Sequence, residues 1–144
     1  MKLNPTDLAR VKQTRAAFVT DPDSVAAVFY AKLFEVDPAT RDMFPSHLQD
    51  QGRKLMATLA VAIDALENWD RLAPILASLA RRHLSYGVEA HHYASVAQAF
   101  HATLEAAGVD SDTRASWHRA MSALTGYMIE VAYPDRERSL TGAA

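Results

Sequence analysis

The sequence predicts an all-α chain of seven to eight helices packed helix on helix. Three observations carry that expectation. Apolar residues recur at spacings of three and four, and no run alternates as a half-buried strand would. Capping residues and prolines divide the 144 residues into helix-length segments. Only 5 glycines are present, so loops are few and short.

The elements follow in order. Thr6 can cap a helix from about Asp7 to Val19, with Leu8, Val11 and Phe18 on one face. The turn Thr20–Asp23 precedes a helix from about Ser24 to Val36 that carries Val25, Val28, Phe29, Leu33 and Phe34. Asp37-Pro38 is a cap followed by proline at the first helical position, which starts a short helix in a new direction. Pro45 then favours extended geometry at Phe44. From about Gln49 to Leu66 a helix is apolar over most of its circumference, with a stripe of Leu55, Leu59, Ala62 and Leu66, so it should be sandwiched between others. The next helix, about Arg71 to Leu84, puts Leu72, Ile75, Leu76, Leu79 and His83 in phase. Gly87 marks a loop at positive φ. Helices from about Ala90 to Ala107 and Thr113 to Tyr133 complete the chain, the first carrying Tyr93, Val96, Phe100 and Leu104. One domain over residues 1–144 is expected, with a core at about 5–133 and a fraying tail at 134–144.

Composition removes several classes. Hydrophobic residues make up 49% and charged residues 22%, the balance of a soluble globular chain. With no cysteine there is no disulfide, thiolate-ligated metal or thioether-attached cofactor, and the cytoplasm is the expected compartment. The net charge of −2 argues against a nucleic-acid partner. The window Leu55–Ile63 is too short to cross a membrane, and no secretory signal is expected in the polar N-terminus.

His83 sits where its helix's stripe calls for another leucine. It reads either as a core histidine bonded to a carbonyl or as a ligand to haem iron. Position alone does not choose. Tyr30 taken alone is an ordinary core tyrosine, and Gln51 a polar residue near a helix start.

Four segments taken together do choose. FYAKLFEVDPATRDMF, QGRKLM, LARRHLSYGV and the HHY that follows resemble the globin family, most closely bacterial single-domain haemoglobins and the globin domain of flavohaemoglobins. The resemblance covers about residues 5 to 133, and the Tyr30-to-Phe44 and Gln51-to-His83 intervals match. It implies a globin fold around a pocket for haem b, iron protoporphyrin IX. It implies His83 as the proximal iron ligand and Phe44 as the aromatic wedge against the porphyrin. Tyr30 and Gln51 become the distal pair that bonds bound oxygen, with Leu55 one turn beyond. Val88, Tyr93, Val96 and Phe100 match positions lining the proximal half. Lys54, Arg82 and Tyr86 are candidates for the propionates, and His47 for the distal rim or a sixth iron ligand. His91 and His92 are expected to face solvent at a helix start, and His101 and His118 to be surface residues.

One departure from the family bears on chemistry. In the flavohaemoglobin type a glutamate late in the last helix bonds the proximal histidine through a His–Tyr–Glu set. Counted from Trp117, that place falls on Ala132; Glu130 is two residues away, about 200° around the helix. A carboxylate there would make the imidazole more basic. Its absence favours reversible binding of dioxygen over peroxidase-like chemistry.

The resemblance therefore implies a haem protein that reversibly binds oxygen for transport, storage or buffering, and that also takes carbon monoxide and nitric oxide. The alternatives are nitric oxide dioxygenation with a separate reductase, a haem-based gas sensor and a haem-free signalling module. A monomer or homodimer is expected.

Overall fold

The computed structural model describes residues 3–134. They form seven α-helices and one 3-10 helix, and no strand is present among the described residues. The helices are α1 (Pro5–Gln13), α2 (Arg15–Thr20), α3 (Pro22–Val36), α4 (Gln49–Asp64), α5 (Trp69–Ser85), α6 (Ala90–Ala106) and α7 (Ser111–Ala132). The 3-10 helix, Pro38–Met43, follows α3. Of the expected tail, residues 135–144 lie outside the described residues.

Local chemistry explains the boundaries. Asp21, Asn68 and Asp110 cap α3, α5 and α7, each accepting from the backbone N–H three residues on. Gly87 and Gly108 sit at φ 85° and 80°, the left-handed turn that ends α5 and α6. Two expectations at the N-terminus are corrected. The first cap is Asn4, whose Oδ1 accepts the Asp7 N–H at 2.8 Å, and not Thr6. Pro5 occupies the first helical position, where its missing N–H costs nothing, so the helix starts before Thr6. The single helix expected to Val19 is broken at Thr14. The Thr14 hydroxyl donates to the Val11 carbonyl at 2.7 Å and accepts from the Trp117 indole N–H at 3.0 Å, which holds a tight turn there.

The core runs through Val11, Phe18, Leu33, Met56, Ile63, Leu72 and Trp117, all nearly or wholly inaccessible. Phe100 packs between Phe18 and Trp117, with ring centroids 5.9 and 4.8 Å away. Burying side chains of this size is worth roughly 1.5–3 kcal/mol each and dominates the stability. α3 crosses α6, while α1, α5 and α6 pack on α7. One buried carboxylate helps to fasten α1 to α7. Asp7 accepts from Ser116 Oγ at 2.7 Å and from two Arg119 nitrogens at 2.7 Å each.

The expectation for α4 needs correcting. It packs on α1, α2 and α3. Its buried residues are Gly52, Met56, Ala60, Ala62 and Ile63, and of the expected stripe Ala62 and Leu66 are buried. Leu55 and Leu59 are only partly buried, and Val61 is 43% exposed. The helix is covered along one side and is not sandwiched. α4 and α5 touch each other at most marginally, so the partly buried apolar residues on each are free to line a cleft.

Candidate functional site

α5 carries His83 on its last full turn, half-buried, with Arg81, Arg82 and Leu84 turned outward. His83 Nδ1 lies 2.7 Å from the Leu79 carbonyl one turn earlier. A carbonyl only accepts, so Nδ1 carries the proton and the lone pair of the neutral ring is on Nε2. Burial lowers the imidazole pKa, and the Arg82 charge adds to this; the Leu79 bond partly opposes both. The neutral ring, the form that ligates metal, is favoured.

The loop after α5 is tied to this histidine. The Val88 N–H donates to the His83 carbonyl at 3.1 Å. The Val88 carbonyl in turn accepts from the Tyr133 hydroxyl just beyond α7. Tyr93, on the first turns of α6, stacks near His83 with centroids 6.1 Å apart and planes 21° from parallel. Its hydroxyl is buried and has no partner among the described residues. Burial, aided by nearby Tyr133, pushes the Tyr93 pKa up to about 12.

α3 presents Tyr30, buried within an aromatic cluster. Phe34 stacks on it at 6.0 Å and Phe44 meets it edge-on at 5.3 Å. Burial pushes the Tyr30 pKa up to about 12, so the phenol stays a neutral O–H donor at physiological pH. Phe44 follows the 3-10 helix in extended geometry, as Pro45 requires. Gln51 lies on the first turn of α4, partly buried, and Leu55 follows one turn later. Gly52 lets α4 approach α3 closely: a Cβ there would meet the Ala26 Cβ at 2.6 Å and Tyr30 Cε2 at 3.6 Å. Thus the chain next to Gln51 rests against the Tyr30 ring.

A family model described as Globin matches residues 27–128, well over half of the chain. This chain belongs to the globin family. A flavohemoprotein of Bordetella parapertussis is 27% identical to this globin over 148 residues, 99% of this chain and 36% of its own length. A flavohemoprotein of Chromobacterium violaceum is 30% identical over 112 residues, 72% of this chain and 27% of its own. The globin thus spans about a third of the length of these curated relatives. Among solved structures, a bacterial globin from Campylobacter jejuni superposes with a TM-score of 0.80 at 18% identity, over 92% of this chain and 98% of that one. A deoxy haemoglobin from Dasyatis akajei gives 0.79 at 21% identity, over 91% and 99%. Those structures share the fold that the resemblance implied.

Globins are haem proteins, and the residues present suit that group. His83 offers a neutral, oriented nitrogen on a half-buried face, the donor chemistry ferrous or ferric haem takes. Leu55, Leu59, Phe44, Leu79, Val88 and Val96 are partly buried apolar residues packed at the edge of the core, as the walls of a pocket for an apolar disc would be.

The remaining expected residues are distributed as follows. Lys54, Arg82 and Tyr86 are exposed, and Tyr86 is 71% accessible. Neither Lys54 nor Arg82 pairs with an acidic residue among the described residues, so both cations are available to an anion. Phe100 lies deep, in the Phe18–Trp117 cluster, and not on the partly buried edge. His47, His91, His101 and His118 are exposed, and His92 is partly buried. Ala132 is buried and Glu130 exposed. Phe34, Gly52, Leu79 and Tyr133 shape the site but did not stand out as site residues in the sequence. Only Gly52 carried a signal, as a glycine inside a helix beside Gln51.

Proposed function

We propose that this globin binds one haem b non-covalently through His83 Nε2 and reversibly binds dioxygen, as a carrier or store, from one domain in the cytoplasm. The observation that carries the reading is Tyr30: a buried phenol, held protonated and clamped by Phe34 and Phe44. Ferrous haem, when bound, supplies the iron at which a diatomic gas is held. The chain supplies the rest. His83 anchors the group, with its other nitrogen fixed by Leu79. Phe44, Leu55, Val88 and Val96 exclude water, and Lys54 and Arg82 are free to meet the propionates. Tyr30 donates a hydrogen bond to the gas ligand, with Gln51 as a second donor. Dioxygen draws more negative charge than carbon monoxide when held, so an O–H donor favours it.

The test is Tyr30→Phe, which removes the donor and keeps the ring. Oxygen dissociation should accelerate roughly ten- to a hundredfold, from loss of a charge-assisted bond worth about 1.5–3 kcal/mol. Carbon monoxide dissociation should change much less. Stopped-flow measurement of both gases decides it: equal acceleration of both would make Tyr30 a gate and not a donor.

The flavohemoprotein relatives support a second reading, nitric oxide dioxygenation with electrons from a separate reductase. A buried alanine at position 132, with Glu130 exposed, favours carriage. Sustained nitric oxide consumption with a reductase present would favour the enzyme.

A further inference from the structure

We propose that the corner where α3 ends and α6 begins binds a divalent transition-metal ion through Asp37, His91 and His92. One ligand atom from each of the three lies within 4.8 Å of the other two, a separation that a single ion can span. The proposal does not depend on the gas-binding reading.

The convergence is not what helix geometry alone gives. Successive residues on a helix diverge by about 100°. Here the His91 and His92 rings are 4.1 Å apart between centroids. They meet in the first turn of α6, which opens after the extended backbone of Glu89 at φ −101° and ψ 165°. Asp37 closes the set from the end of α3.

Two of the three ligands are already backed by a second group. The Ser95 hydroxyl donates to Asp37 Oδ2 at 3.0 Å. The Glu89 carboxylate lies 3.3 Å from His91 Nδ1. With the proton of His91 on Nδ1, Nε2 is left as the coordinating atom, the carboxylate–histidine arrangement that orients ligands in metal sites. His92 is the adaptable member. Its Nδ1 accepts the Glu89 N–H at 2.8 Å, so its neutral ring carries the proton on Nε2. Coordination through Nε2 shifts that proton to Nδ1 and releases the Glu89 N–H to water, which reaches it because Glu89 is exposed. No proton is gained or lost in the exchange.

The donor set fixes the class of ion. Two imidazoles and one carboxylate suit zinc, nickel or copper; calcium and magnesium prefer all-oxygen sites. Three protein ligands leave a position for water. The ion would join two elements far apart in sequence.

Zinc is the probe. Isothermal titration of the haem-loaded protein with zinc chloride should show one saturable ion per chain, with the haem absorbance unchanged. Asp37→Asn and His91→Ala should each weaken binding at least about tenfold, and Ser95→Ala about tenfold. Zinc should also raise the thermal midpoint of the wild type but not of Asp37→Asn. Circular dichroism checks that the variants fold. His101→Ala and His118→Ala, at exposed histidines elsewhere, should leave the titration as it is. No saturable zinc uptake, or uptake that survives Asp37→Asn and His91→Ala, or uptake lost with His101 or His118, would overturn the assignment.

Discussion

Burial holds the Tyr30 hydroxyl protonated well past the pH at which a solvated tyrosine ionises, near 10. The donor is lost only on ionisation, so its effect should persist until the pH approaches about 12. Oxygen dissociation should accordingly be flat from pH ~6 to ~10, as stopped-flow measurement of the haem-loaded protein would show. A rise centred on pH ~10 would mean that the phenol is solvated. The two sides of the site differed in how far the sequence revealed them. His83 interrupts an apolar stripe of Leu72, Leu76 and Leu79, and a polar residue out of pattern is visible in one dimension. Tyr30 breaks no pattern, because an aromatic ring among Phe29 and Leu33 is what a core predicts; its role came from the resemblance. Tyr133 was not legible at all. Its partner is the backbone carbonyl of Val88, a group every residue carries.

At the scale of the element, the crossing of α3 and α4 rests on Gly52. An alanine would improve helix propensity by about 1 kcal/mol. Its Cβ would, however, stand 2.6 Å from the Ala26 Cβ, and neither atom can rotate away. The helices must part, and overpacking of this kind costs typically about 1–3 kcal/mol. Gly52→Ala should therefore bring no net gain and should cost up to about 2 kcal/mol in chemical denaturation. Adding Ala26→Gly should recover much of the loss. A stabilised Gly52→Ala variant would show that the crossing is loose. In the sequence Gly52 registers only as a weak helix former, since the atom it makes room for belongs to another helix. The break at Thr14 was hidden for the same reason: the indole that holds it belongs to Trp117, over a hundred residues on. Helix ends marked by Asp37-Pro38 and Gly87 were legible because their causes are local.

At the scale of the whole molecule, the buried Asp7 carboxylate joins the first helix to the last. Hydrogen bonds from the Arg119 guanidinium, and then from Ser116, hold its pKa far below the ordinary 3.8, although burial opposes them. A carboxylate with a depressed folded pKa contributes stability in full above the unfolded value, and loses it as the pH falls through the folded one. Asp7→Asn should therefore lower the thermal midpoint at pH 7, and the gap to the wild type should narrow below pH ~4. Thermal scans between pH ~2 and ~7 would show this; a gap independent of pH would mean that shape, not charge, matters at this position. The sequence placed Asp7 in a first helical turn, where an acid is ordinary, and nothing near it announces Arg119. This pairing also has a consequence in time. Asp7 and Arg119 are 112 residues apart, so a ribosome adding ~5–20 residues per second makes Arg119 some 6–20 s after Asp7, on the order of magnitude set by translation. Through that interval α1 has no α7 to dock on, and Asp7 remains hydrated. The N-terminal helix, first to be made, is thus among the last to find its place.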